Sequence, residues 1–374
     1  IQLTSIHLVL NGLENIGIID FQKKMMFGLD FKFRISKRIF GFLVTMISAW
    51  YLRSYWALVI GTLAGSSFGV ILSYQMHSMR PKICFAQLKA IFSISQWMLI
   101  RSIGVYFNAN LHKIFVGRIA DSSTLGGYSL ANEISLMPAG ELLAPINRVL
   151  FPAFAAIKSN KEEFKRIFIL ALGIQTLLVI PASVGFFLVS YEAVYVLLGV
   201  KWLFVLPFIK IFVFMNVCQA VITSGNQAII SLGYYKVSAI IPWLQVLIFS
   251  VLVFLNTEKN PYDIAIFKLS AVSLGFLMIV IIIKKTLMIL SYVEMLRAVY
   301  RPAIASFLMF LSVSFLETYL VVSEVYSLII KSTFGAFIYT LTLLIIWILA
   351  GRPKSAESYI LEKIYKLKIF DSVK

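Results

Sequence analysis

The sequence predicts an all-α, polytopic membrane protein: a bundle of apolar helices joined by short connections. Three observations carry this reading. The chain is 60% hydrophobic and only 14% charged, with a mean hydropathy of +0.89. Soluble chains run at roughly 45–50% apolar and about 25% charged. Apolar runs of about 20 residues, the length that crosses a bilayer as a helix, recur from one end to the other. Basic residues collect in alternate connections between those runs. The runs lack the period-two alternation of a transmembrane β-barrel.

About eleven spans follow, at 1–19, 36–53, 55–76, 92–116, 127–152, 167–190, 203–224, 237–256, 264–283, 302–320 and 328–350. The first is interrupted by Asn11, Gly12, Glu14 and Asn15. Residues 39–76 and 237–283 share a span, break, span outline, a faint internal repeat of the kind seen in transporters. The organisation read from this is a helical lobe at 1–91, a second helical lobe with further spans at 92–350, and a basic tail at 351–374.

Charge orients the layout. The connections 20–38, 76–91, 155–166, 233–237 and 284–301, together with the tail, hold 24 of the 34 Lys and Arg. Lys82, Arg166, Lys284 and Lys285 are among them. The opposite connections hold Arg53, Arg118, Lys201 and Lys259 beside six acids, Glu258 among them. The positive-inside rule places the basic set and the C-terminus in the cytoplasm and accounts for the net charge of +17 without nucleic acid. The tail, with Ile360, Leu361, Ile364, Tyr365 and Leu367 among Lys363, Lys366 and Lys368, reads either as a short amphipathic helix on the inner leaflet or as a solvated basic tail.

Chemistry-bearing motifs are sparse. Cys84 and Cys218 form no metal spacing, the three histidines are isolated, and no phosphate-binding lysine loop or nucleophile elbow is present. The chain is expected not to be an enzyme, and no motif calls for a cofactor or a metal. Interest falls on the ionisable residues inside the spans, since a charge at bilayer depth costs at least about 2.5–3.5 kcal/mol. Lys268 and Lys331 lie within about a turn of the outer surface and are expected to snorkel. Glu14, near the inner end of a weak span, is expected at the interface.

Arg101 falls near the midplane of its span. With Trp97, Gly104, Asn108 and His112 it makes a polar stripe at spacings of three and four, opposite Ile100, Ile103 and Phe107. Arg101 either lines a cavity or pairs with a buried glutamate. The run from Gly126 to Ile157 carries Glu133, Glu141 and Arg148 together with Pro138, Pro145 and Pro152. Glu141 and Arg148 are seven residues apart and share a face. Arg148 sits about a turn from the inner surface, where it either contacts substrate or anchors the interface. Lys113 and Lys210 are further buried cations, the second in a span with Asn216, Gln219 and Asn226.

The run LGGYSLANEISLMPAGELLAPINRVLFPAFAAI resembles the signature helix of bacterial polysaccharide transporters, the Wzx-type flippases of the MATE-like exporter superfamily. NANLHKIFVGRIADSSTLGGYSLA, LLGVKWLFVLPFIKIF and IIDFQKKMMFGLDFKF resemble further segments of that family. The resemblance implies a two-lobed bundle of about fourteen spans, with three absent before Ile1. It implies translocation of an undecaprenyl-diphosphate-linked oligosaccharide across the bacterial inner membrane, for exopolysaccharide, capsule or O-antigen assembly, alongside a polymerase and export machinery. Arg101, Arg148, Lys113 and Lys210 would then meet the diphosphate. Asn108, Asn132, Asn147 and Gln219 would meet sugar, and Glu133 and Glu141 are candidates for ion coupling. Where many relatives carry an acid, this chain has His112. The rival readings are a cation-coupled drug exporter, disfavoured by the excess of deep bases over acids, and a membrane polymerase, disfavoured by short outer connections.

Overall fold

The computed structural model describes residues 2–81, 88–256, 260–286, 290–320, 322–353 and 355–371, with side chains left undescribed at 2–5, 90 and 364–371. Cys84, Lys82, Glu258 and Lys259 lie outside the described residues, as do the side chains of Ile364, Tyr365, Lys366, Leu367 and Lys368. The described residues are mostly helical, with no strand among them. They form two compact units, Ile1–Ala90 and Ile91–Lys374.

The first unit contains α1 (Gln2–Leu13), a 3-10 turn (Ile16–Ile18), α2 (Ile19–Lys23), α3 (Phe27–Leu52) and α4 (Trp56–Met76). The expected span at 1–19 is corrected here: the helix stops at Leu13. Asn15 ends it, because its side chain accepts from the Gly17 amide at 2.9 Å while its own amide donates to Ser73 Oγ at 3.0 Å. α3 and α4 approach closely along Gly41, Gly61 and Gly65, where an added Cβ on Gly65 would lie 3.2 Å from the Gly41 Cα.

The second unit contains α5 (Leu88–Ile119), α6 (Ser122–Ile157), α7 (Lys161–Leu188), α8 (Ser190–Leu198), a 3-10 turn (Val200–Val205), α9 (Leu206–Ser231), α10 (Tyr235–Leu255), α11 (Pro261–Thr286), α12 (Tyr292–Glu317), α13 (Glu324–Leu349) and α14 (Ala356–Asp371). α9 is its centre, burying residues on most of its circumference against α6, α7 and α11. Aromatic rings fill that centre: Tyr128 meets Phe208 and Phe212 edge-on at 5.2 and 5.1 Å, and Phe154 stacks on Phe164 at 5.0 Å.

Several helices run past the apolar segments into the basic connections. α12 starts at Tyr292, inside the connection expected at 284–301, with Ser291 and Glu294 forming a capping box. α7 starts at Lys161 behind Asn160, whose side chain accepts from the Glu163 amide. Among the described residues, seven helices are long and apolar enough to cross a membrane by length and composition: α4, α7, α9 with its leading turn, α10, α11, α12 and α13. The eleven spans expected are not reached by that measure. α3, α5 and α6 have 26, 32 and 36 residues but are not among those seven.

Candidate substrate path

α6 is the natural starting point, because its polar residues divide between two faces. Asp121 starts the helix, its carboxylate accepting from the Ser123 amide at 3.0 Å and the Thr124 hydroxyl at 2.6 Å. The Thr124 hydroxyl bond holds the Asp121 carboxyl below the usual range. At 36 residues the helix is about 54 Å long. One face buries Tyr128, Ala131, Asn132, Ser135, Ala139, Leu143, Leu150 and Phe154. The other leaves Glu133, Met137, Gly140, Glu141, Pro145, Arg148 and Phe151 exposed. The expectation that Glu141 and Arg148 share a face therefore holds, and that face is open.

The three prolines give this face a second property. A proline nitrogen cannot donate to the carbonyl four residues earlier. Pro138, Pro145 and Pro152 therefore free the carbonyls of Ile134, Glu141 and Arg148 from that helical bond. Two of the freed acceptors belong to the open, charged positions. This face then offers at two levels both a charged side chain and an uncommitted backbone oxygen, about 10 Å apart along the helix.

The other expected site residues separate into three groups. Lys113 reaches Glu133 at 3.9 Å, which ties α5 to the open face of α6. Asn108, Asn132 and Asn147 turn inward. Asn132 is buried, and Asn147 accepts from Gln175, which in turn accepts from Ser224. Asn108 donates to Gln245 Oε1 at 2.7 Å and accepts from Lys268 at both its side-chain and backbone oxygens. Lys210 and Gln219 lie on α9, nine residues apart and so on opposite faces. Lys210 stands 5.6 Å from the centre of the Phe187 ring.

The polar stripe on α5 is a packing seam over much of its length. His112 is 1% exposed, with Nδ1 2.8 Å from the Tyr128 hydroxyl and Nε2 2.9 Å from the Ala109 carbonyl. Gly104 abuts the Trp243 indole, whose nitrogen donates to the Ile100 carbonyl at 2.9 Å. Trp97 receives Lys236 over its ring at 5.3 Å. Arg101 has no ion pair among the described residues, and its Nε is buried without a partner. The alternative in which Arg101 pairs with a buried glutamate is not what the structure holds.

Lys268 and Lys331 correct the snorkelling expectation. Lys268 is 6% exposed and turned into the unit, where Asn108 receives its ammonium. Lys331 is 3% exposed and bridges Glu192, which also accepts from Ser327, and Glu317 at 2.9 Å. Residue counting measured depth along each helix but not direction around it. Among the described residues no group of three His, Cys, Asp or Glu is placed to hold a metal.

Comparison with known proteins places this geometry in context. A family described as "Polysaccharide biosynthesis protein" matches residues 1–207. A Klebsiella pneumoniae protein, described as an uncharacterized membrane protein in the cps region, is 24% identical over 341 residues, covering 87% of this chain and 68% of that one. The lipopolysaccharide biosynthesis protein WzxC of Escherichia coli K12 is 28% identical over 204 residues, 54% of this chain and 42% of its own length. Among solved structures, the lipid II flippase MurJ in an inward closed conformation aligns with a TM-score of 0.62 at 14% identity, over 83% of this chain and 66% of that one. The fold is therefore shared with MurJ, whereas the chain spans less than half of WzxC. The apolar helices and the membrane relatives together make this a multi-pass membrane protein.

Proposed function

The chain belongs to the polysaccharide biosynthesis protein family, and from that premise we propose that it flips an undecaprenyl-diphosphate-linked oligosaccharide across the bacterial inner membrane by alternating access. The observation that carries this is the open face of α6. It combines a guanidinium at Arg148, a carboxylate at Glu141 and the carbonyls released by Pro145 and Pro152. A diphosphate cannot shed its water into hydrocarbon without charged donors to replace it. Arg148 supplies such a donor, and sugar hydroxyls donate to the freed carbonyls. The polyprenyl chain stays in lipid throughout.

Within this proposal residues 1–91 form an N-terminal helical lobe, and the C-terminus is cytoplasmic. A polymerase and export machinery take the product. Glu133 is balanced by Lys113, so Glu141 is the stronger candidate for ion coupling. Arg101 is a second contact for the diphosphate.

The test is translocation of a purified lipid-linked oligosaccharide by the full-length protein in vesicles, scored by access of an external glycan-modifying enzyme. Arg148→Ala should slow translocation by at least about tenfold, the loss of one charge-assisted contact, with Arg148→Lys intermediate and membrane levels unchanged. Full activity in Arg148→Ala would remove the α6 face from the path. Growth of the glycan chain in the vesicles would identify a polymerase instead.

A further inference from the structure

The first unit contains a hydrogen-bonded relay across three helices. It begins on α4, where Ser66 donates its hydroxyl to the Thr62 carbonyl at 2.9 Å. The Ser66 oxygen then accepts from His7 Nδ1 on α1, 2.5 Å away. His7 Nε2 lies 3.0 Å from Asn11 Nδ2, and Asn11 Oδ1 lies 3.1 Å from Lys37 Nζ on α3. Lys37 also pairs with the Glu14 carboxylate. Gly69 on α4 leaves room for that pair, since a Cβ there would lie 2.9 Å from both Glu14 Oε1 and Lys37 Cδ.

The direction of every bond is fixed from the lysine end. An ammonium only donates, so Asn11 must present its oxygen to Lys37 and its NH2 to His7. A ring nitrogen that receives an N–H carries no proton. In this arrangement Nε2 is the acceptor and the ring proton that meets Ser66 sits on Nδ1.

Adding a proton at Nε2 sets that N–H against the Asn11 NH2. Turning the amide relieves the conflict but presents NH2 to the Lys37 ammonium, again donor against donor. A protonated His7 and an Asn11–Lys37 bond thus exclude one another. We propose that His7 is a proton-binding site whose occupancy releases α1 from Lys37 of α3. Few other charges face it. α4 carries no Asp, Glu, Lys or Arg, and Glu14 is engaged by Lys37. On the neighbouring segments Asp30 is engaged by Arg34, and Asp20 lies 3.8 Å from His77. Histidine is also the side chain whose ordinary titration falls between about pH 5 and 8.

The chain has three histidines, so the His7 ring signal in 13C-histidine NMR of the purified full-length protein is assignable from His7→Gln. The proton affinity of His7 is compared in Lys37→Met, Asn11→Leu and the double variant. With Asn11 present, Lys37→Met should raise the affinity about tenfold, because the amide is then free to turn. In the Asn11→Leu background the rise should shrink to about twofold, the Coulombic remainder. An equal rise in both backgrounds would overturn the proposal.

A second measurement covers poor folding of either variant. Spin labels at Leu8→Cys and Phe42→Cys, both exposed positions, with native cysteines replaced, report the α1 to α3 distance. That distance should change between about pH 8 and pH 5 and stay constant in His7→Gln, which mimics the neutral ring with one donor and one acceptor. No change in the parent protein, or the same change in His7→Gln, sinks the proposal. Neither readout uses substrate, so failure here leaves the transport reading standing.

Discussion

At the scale of single residues, Lys268 shows how position along a helix can mislead. Its ammonium bridges to both oxygens of Asn108, and Asn108 in turn donates to Gln245. Replacing it with methionine keeps the packing but leaves those acceptors dry and unpaired, at about 1–3 kcal/mol. Lys268→Met should lower the unfolding temperature in detergent, measured by intrinsic fluorescence, whereas Arg148→Ala should leave it unchanged. A cue to this was present in the sequence. Lys268 shares its helical row with Ala271, Val272, Gly275 and Ile279, and Lys331 shares its row with Ser327, Gly335 and Tyr339. Small residues mark the side on which helices approach, so a lysine on that side is turned inward. What no single-chain pattern shows is the partner, since Asn108 lies 160 residues from Lys268 and Glu192 lies 139 from Lys331.

At the scale of elements, helix starts are held by acids that ordinary water would also accommodate. Asp121 caps α6, and Glu294 closes the capping box of α12 while bonding Lys165 at 2.8 Å. Glu163 in the first turn of α7 accepts from Arg166 at 2.9 and 2.5 Å. All three carboxyls are held low, Asp121 by the Thr124 hydroxyl, Glu163 by Arg166 and Glu294 by Lys165. A lowered acid stabilises the fold above its unfolded value and loses that contribution as pH falls through the folded one. Asp121→Ala should therefore melt earlier than the parent at neutral pH, with the gap closing as pH falls below the ordinary carboxylate range. Scanning calorimetry in detergent at the two pH values checks this. Existence and order of the helices were legible from apolar runs and turn residues. Their ends were not, because caps such as Asn160 and Ser291 carry helices outward beyond the apolar segment.

At the scale of the whole molecule, the sequence-predicted site residues fall into separate groups. Lys113 meets Glu133, and Glu141 and Arg148 lie exposed on the same face of α6, while Lys210 and Gln219 point away from each other on α9. Translocation in vesicles should reflect that division. Lys210→Ala and Gln219→Ala should each retain activity within about threefold of the parent, in contrast to Arg148→Ala. Reading the chain as a set of buried charges led to counting cations as one group. Helical periodicity separates them only where two residues share a helix, as Glu141 and Arg148 do, and packing decides the rest.

If α6 borders the path as proposed, the spacing of its prolines bears on the speed of transport as well as on recognition. Binding along a path must be strong enough to admit a cargo and weak enough to release it, which favours several comparable sites over one deep well. Freed carbonyls recurring every seventh residue give such stations at steps of about 10 Å. Each station carries the same backbone acceptor, so on the proposed path the free-energy profile for a sugar hydroxyl would be shallow and repeating. A glycan of several residues would be passed from one oxygen to the next, and no single bond would need to be broken before another had formed.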